Sequence, residues 1–271
     1  MFETKTAKAY CEKHDIEYQA TMTKMRDKWR TGPCPECIIE AESKEKESAN
    51  KEKSEHRQQQ IANKYKRSGI PPRYTTRTFD NFKCTNADQR KALSMAKAYA
   101  EGITTSMKTG AGLILSGKVG TGKTHLACAV GDHFVKENGS VLFITVTAMI
   151  RKIRETYRRD SKHTEQQIID GYRDVDLLII DEIGLQKGSE SEEFLLFETI
   201  NERYAYFKPT ILISNLNAEE IKQYIGTRAL DRMREGGGKF IAFDWDSYRS
   251  EVAKDESLPD ADQAKYTGDK K

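Results

Sequence analysis

At 271 residues the chain is long enough for one full α/β domain plus a smaller appendage, and 45 Lys and Arg residues against 42 Asp and Glu leave a net charge of only +3. So even a balance gives no global basic field for nucleic acid, and any such contact must come from a local patch. No apolar run could span a bilayer and Met1-Phe2-Glu3-Thr4-Lys5 lacks a signal peptide's apolar stretch, which predicts a cytoplasmic protein without membrane contact, whose five cysteines are read first as metal ligands.

The first informative stretch pairs Cys11-Glu12-Lys13-His14 with Cys34-Pro35-Glu36-Cys37. Each places two soft ligands at the spacing that lets one tight turn present both to a single ion. Cys11, His14, Cys34 and Cys37 together would make a tetrahedral Cys₃His zinc site. Few apolar residues surround them, so residues 1–40 are predicted to be a small zinc-binding module in which metal substitutes for a core. The competing readings are ordinary reduced thiols with a surface histidine, or a CxxC redox pair, which the lack of a preceding strand and following helix disfavours. Cys84 and Cys128 are isolated and read as packed thiols.

From Glu40 to Arg67 the sequence is charged nearly all round, with Glu40/Lys44, Glu42/Lys46 and Glu47/Lys51 at helical i,i+4 spacing, and residues 41–68 are taken as one segment. They predict a solvated helical linker or a helix that docks on a partner, broken by Ser68-Gly69-Ile70-Pro71-Pro72. Tyr74, Phe79 and Phe82 follow in an extended segment whose aromatics would pack the edge of a core or, as the competing reading, flank an adenine base, and a helix is predicted from Asn86 to Glu101.

The chain then turns on Leu113-Ile114-Leu115 followed by Gly117-Lys118-Val119-Gly120-Thr121-Gly122-Lys123-Thr124 and His125. This is a strand, a glycine-rich loop and a helix, the setting in which converging backbone N–H groups and a helix N-terminus hold phosphate. Residues Gly117 to His125 would bind the triphosphate of ATP, with Lys123 on its β- and γ-phosphates and the Thr124 hydroxyl on Mg²⁺. A second buried strand is read at Val141-Leu142-Phe143-Ile144-Thr145-Val146. The next helix is expected to carry Arg151, Lys152, Arg154, Arg158, Arg159 and Lys162 with Tyr157 among them. Arg151, Arg154, Tyr157 and Arg158 form the one basic patch suited to single-stranded DNA, phosphates meeting cations and a base stacking on the ring; a solvated helix face is the competing reading.

Leu177-Leu178-Ile179-Ile180-Asp181-Glu182 is an apolar strand ending in two acids, which would place Asp181 on Mg²⁺ and Glu182 as base toward an attacking water. Pro209-Thr210-Ile211-Leu212-Ile213-Ser214-Asn215 is a further strand, whose Asn215 would orient that water or the γ-phosphate from between the two motifs. A last strand is Lys239-Phe240-Ile241-Ala242-Phe243. Strands alternating with helices imply an α/β fold with a parallel sheet covered on both faces and ligands at the strands' carboxyl ends.

GKVGTGKT, LLIIDEIG, ILISN, IGTRALDRMREGG and FDWDSYRS, with the preceding RSGIPPRYTTRTFDNF, resemble the AAA+ ATPase domain of DnaC-type replicative helicase loaders, from Arg67 to Ser250. The resemblance implies a five-stranded AAA+ P-loop core over residues 69–250. It also implies head-to-tail self-assembly, as a ring or spiral, on a replicative helicase hexamer that is placed on single-stranded DNA. It identifies Asn215 with the sensor position and Arg232 with the finger that reaches a neighbouring subunit's ATP, Arg228 lying close by. No room is left for a C-terminal helical lid. Residues 251–271 read as a polar unfolded tail, and Arg249 would stand in for the lid's arginine. An IstB-like transposition helper has a similar core, and an adaptor that holds nucleotide without turnover is the third reading.

Overall fold

The computed structural model describes residues 3–25, 28–185 and 190–248, and the chain divides into two compact units, Met1–Gln60 and Ile61–Lys271. Arg249 and the tail 251–271 lie outside the described residues. Among the described residues no helix is long and apolar enough to cross a membrane.

In the first unit, β1 (Thr4–Cys11), β2 (Ile16–Met25) and β3 (Lys28–Thr31) form an antiparallel sheet in that order. Ala7 faces Ala20, Ala9 faces Tyr18 and Cys11 faces Ile16 across the first pair. These residues share the more covered side of the pleat, and Thr6 and Thr21, opposite each other on the alternate side, stand exposed. Helix α1 (Pro35–Arg67) follows, with Pro35 at its first position, where the missing N–H costs nothing. Cys34 precedes it as a sulfur cap, accepting from the Cys37 N–H at 3.2 Å. The expectation that Cys34 and Cys37 lack a framing strand and helix is therefore corrected. The β-branched and alternating residues of 4–31 suffice for short antiparallel pairing, although they are too few to build a core.

In the second unit, β4 (Leu113–Gly117), β5 (Val141–Thr145), β6 (Leu177–Ile183), β7 (Thr210–Ser214) and β8 (Lys239–Phe243) make the expected five-stranded sheet in the order β5-β6-β7-β4-β8, every pair parallel. The unbroken apolar runs are buried on both faces, as a parallel sheet covered by helices requires. Pleat alternation sends Leu113, Leu115, Leu177, Ile179, Ile211 and Ile213 into one core and Ile114, Leu178, Ile180 and Leu212 into the other. The first core is covered by α2 (Ala87–Glu101), α3 (Ile103–Thr109) and α4 (Lys123–Lys136), and Tyr74, Phe79 and Phe82 pack at its margin. The second lies under α5 (Val146–Glu155), α6 (Glu165–Asp174), α7 (Glu190–Ala205), α8 (Ala218–Ile225) and α9 (Thr227–Arg234). Asn86/Gln89, Thr164/Gln167 and Asn217/Glu220 close capping boxes that start α2, α6 and α8.

The basic helix is shorter than expected. α5 ends at Glu155 because the Thr156 hydroxyl bonds back to the Ile153 carbonyl at 2.6 Å and the chain turns, so Tyr157, Arg158, Arg159 and Lys162 lie beyond it. Arg203 of α7 is wholly buried. Its guanidinium donates to the carbonyls of Tyr172 (2.5 Å), Val175 (2.9 Å) and Pro209 (2.6 Å) and to the Thr210 hydroxyl (2.9 Å). It thereby satisfies acceptors left at the carboxyl end of α6 and at the start of β7. Burial lowers its pKa to about 9.

Candidate functional site

β4 lies between β7 and β8, while the connection through α4 carries the chain to β5 at the far edge, so the crevice at the carboxyl ends of β4 and β7 is where such a sheet binds ligands. The glycine-rich loop fills that position. Gly117, at φ 134°, runs against β8 so closely that a Cβ would sit 2.3 Å from the Phe243 carbonyl oxygen. Gly122, at φ 99°, precedes α4 in the left-handed region and leaves no space for a Cβ beside Phe82. No side chain caps α4 there, so its first N–H groups point into the loop as donors for an anion.

Lys123 is buried, and its ammonium donates to the carbonyls of Gly117 (2.8 Å) and Lys118 (2.6 Å) inside the loop it would leave to meet phosphate. Thr121 is buried with its hydroxyl on the Lys118 carbonyl, whereas Val119 is exposed. The Thr124 hydroxyl donates to Asp181 Oδ2 at 3.1 Å, so the two expected Mg²⁺ ligands are neighbours across α4 and β6. Burial pushes the Asp181 carboxyl up, against the Glu182 N–H and Thr124 hydroxyl that bond its ionised form. A hard-oxygen pair at the end of a phosphate-type loop fits a small divalent cation that keeps several waters.

Glu182 is exposed and sits at φ 64°, a region that non-glycine residues occupy at a cost of order 1 kcal/mol. The cause is a register shift: Ile180 pairs with Leu212 and Ile183 with Ser214, so two residues of β6 oppose one of β7 at Asp181-Glu182. The Ser214 hydroxyl, bonded to the Ile183 carbonyl at 2.7 Å, fixes this bulge. Asn215 is exposed at the end of β7, the strand between β6 and β4. His125 is turned the other way. Its Nε2 meets the Thr78 carbonyl at 2.8 Å, its ring stands edge-on to Phe82 at 5.2 Å, and burial lowers its pKa.

Arg232 lies on α9, against residues of α7. Its guanidinium stacks over Tyr204 (5.2 Å) and Phe197 (5.7 Å), and Nη1 is buried without a hydrogen-bond partner. Arg228, one turn earlier, is exposed. Arg151, Arg154 and Arg158 line a cavity of about 340 Å³ that Glu182, Leu185 and Tyr224 also line; Arg154 pairs with Glu192 at 3.2 Å. Tyr157 is exposed but is not part of that lining.

A strap after β8 belongs to the site and had no signal in the sequence beyond the FDWDSYRS string. Trp245 Nε1 donates to the Thr121 carbonyl at 3.1 Å, and the Tyr248 N–H donates to the Gly120 carbonyl at 3.1 Å. The Lys118 N–H bonds the Phe243 carbonyl at 2.9 Å, and its ammonium lies 3.8 Å from Asp246. The phosphate-type loop is thus held from outside by the segment that follows the last strand.

In the first unit, Cys11, His14, Cys34 and Cys37 bring one ligand atom each within 4.8 Å of one another. Cys11 and Cys37 sulfurs are 3.8 Å apart, and His14 Nδ1 lies 3.3 Å, 3.5 Å and 3.6 Å from the sulfurs of Cys34, Cys37 and Cys11. A tetrahedron with metal–sulfur bonds of about 2.3 Å and a metal–nitrogen bond of about 2.0 Å has edges of about 3.8 Å and 3.5 Å. The donor set and its spacing fit zinc. The His14 backbone N–H holds the Cys11 thiol down to about 6, toward the thiolate a metal needs.

The family model for IstB-like ATP-binding proteins matches residues 45–253. A replicative helicase loader DnaC of Buchnera aphidicola is 38% identical over 190 residues, 70% of this chain and 76% of the relative. The DnaC of Escherichia coli strain K12 is 37% identical over 198 residues, 73% and 79%. A crystal structure of the DnaC helicase loader superposes with a TM-score of 0.57 at 19% identity, covering 64% of this chain and 99% of that one. Replication initiator DnaA bound to AMPPCP and single-stranded DNA gives 0.54 at 25% identity, over 65% and 51%. With the phosphate-type loop, the paired acids and the sheet order all in place, the chain belongs to the IstB/DnaC-like family of AAA+ ATP-binding proteins.

Proposed function

We propose that the protein loads a hexameric replicative DNA helicase onto single-stranded DNA, using ATP hydrolysis to release it. The observation that carries this reading is the identity of 37–38% to proteins named replicative helicase loader, over about three quarters of their length. Residues 69–250 would be the ATPase domain, 41–68 its charged linker and 1–40 a zinc module held by Cys11, His14, Cys34 and Cys37, in a cytoplasmic protein.

The α4 N–H groups and Lys123 bind the β- and γ-phosphates of ATP, Lys123 giving up its loop carbonyls. Thr124 and Asp181 hold Mg²⁺, which when bound neutralises charge on the transferring phosphoryl group. Asn215 orients a water toward the γ-phosphorus. Glu182 takes the proton of that water as its oxygen bonds to phosphorus, and ADP departs with the bridging oxygen. Arg232 of one protomer faces the ATP of the next, so turnover depends on head-to-tail assembly. Arg151, Arg154, Tyr157 and Arg158 hold the single strand.

The test is co-purification with the replicative helicase, using wild type and Glu182→Gln with and without ATP. The variant is expected to bind ATP, lose about 10²- to 10⁴-fold in turnover and retain the helicase. Failure of both proteins to retain helicase would sink the loader reading. Absence of turnover in the wild type would leave a nucleotide-holding adaptor instead.

A further inference from the structure

Around the four sulfur and nitrogen donors lies a carboxylate that is not itself a ligand candidate. His14 turns Nδ1 to the three sulfurs, and its other ring nitrogen, Nε2, lies 3.0 Å from Glu40 Oε1. The other carboxylate oxygen is bonded by the Lys13 ammonium. Glu40 stands three residues after Cys37 on α1, so one helix face presents both a thiol and this carboxylate. Lys13 and His14 lie in the turn between β1 and β2, so the contact joins that turn to the second turn of α1.

An imidazole that ligates through one nitrogen can donate a hydrogen bond only through the other, and an acceptor there decides which tautomer is present. A carboxylate on Nε2 leaves the Nδ1 lone pair aimed at the centre of the sulfur triangle. Glu40 cannot easily be the fourth ligand itself, because its oxygen sits on the far side of the ring from the sulfurs and it is outside the cluster of mutually close donor atoms.

We infer that Glu40 is the positioning residue of the metal centre, fixing His14 as an Nδ1 ligand through an Nε2–H hydrogen bond while Lys13 orients Glu40. This rests on the zinc reading of the four ligands, and the experiment separates the two. Full-length wild type, Glu40→Ala, Glu40→Gln and the control Glu42→Ala, on the same helix, are compared for zinc content by plasma spectrometry and for zinc affinity by competition with a chromogenic chelator. The ¹⁵N spectrum of zinc-loaded wild type assigns the ring proton of His14. One zinc per chain is expected in the wild type, with the proton on Nε2. Affinity should fall about 10- to 100-fold in Glu40→Ala, fall less in Glu40→Gln, whose amide oxygen still accepts, and stay unchanged in Glu42→Ala. A wild type without zinc overturns the zinc reading. Zinc bound with the proton on Nδ1, or Glu40→Ala behaving like Glu42→Ala, overturns the positioning role while leaving the metal site standing.

Discussion

The two units of the chain are ordered by different physics. Among the described residues of the first, Ala20 and Cys34 are the buried apolar side chains, whereas the second buries both faces of a five-stranded sheet. In the first unit the end of β1, the turn after it and the start of α1 each supply a candidate ligand, so the groups that carry chemistry are also those that tie the elements together. In the second, Thr124, Asp181 and Asn215 sit at the ends of elements whose packing is complete without them. A site built into a core tolerates loss of its functional groups; a unit built around a metal does not.

The largest test of this contrast is Cys34→Ser. Cys34 is buried, caps α1 and lies in the candidate metal cluster, and structural zinc contributes about 10 to 16 kcal/mol of apparent binding energy in small modules. The variant should lose zinc, and amides of residues 4–31 should exchange as in an unfolded chain, while nucleotide affinity stays within about twofold, since this unit supplies no loop residue. Hydrogen exchange followed by mass spectrometry reads the first effect and a nucleotide titration the second. A protected sheet in the zinc-free variant would show that β1, β2 and β3 stand without metal.

The converse test is Arg203→Lys. A lysine brings three donors on a point charge where the arginine fork meets carbonyls that precede both β6 and β7, so acceptors are left buried and unpaired. The expected loss is about 3 kcal/mol in the urea unfolding of the second unit, with zinc content unchanged. An unmoved midpoint would mean that these carbonyls find other donors.

The same contrast explains what was legible in the sequence. The five strands, Gly117 to Thr124 and the acids Asp181 and Glu182 could be read because local apolar runs and short motifs encode them. The clustering of Cys11, His14, Cys34 and Cys37 could be read because their spacing is chemical. The strands of residues 4–31 could not, since threonines alternating with alanines give little hydrophobic contrast. Neither could the bulge that turns Glu182 to φ 64°, because it arises from the pairing of β6 with β7 rather than from either segment. Arg203 carries no local signal of its role, because its burial depends on carbonyls from residues about 30 positions away that only the fold assembles. The end of α5 at Glu155 was missed because the basic residues continue past it, and charge alone carries no stop signal.

The smallest expected effect separates the units optically. The chain has two tryptophans. Trp29 lies on β3 under the Lys5 ammonium, 4.2 Å from its ring centre, and Trp245 lies on the strap, donating to the Thr121 carbonyl and packed against Phe243 at 4.8 Å. Phosphate entering the loop must draw Lys123 away from the carbonyls of Gly117 and Lys118, and the backbone that carries Thr121 lies between those residues and the helix. Trp245 emission should therefore change on ATP addition, and Trp29 emission on zinc removal with Mg²⁺ kept in excess. Trp245→Phe removes one neutral hydrogen bond, about 1 kcal/mol or about fivefold in ATP affinity at most, and should abolish the ATP-dependent signal while sparing the zinc-dependent one. An ATP signal of full size in Trp245→Phe would mean that nucleotide reaches the first unit. The independence of the two units, on which Cys34→Ser and Arg203→Lys are both interpreted, would then fail.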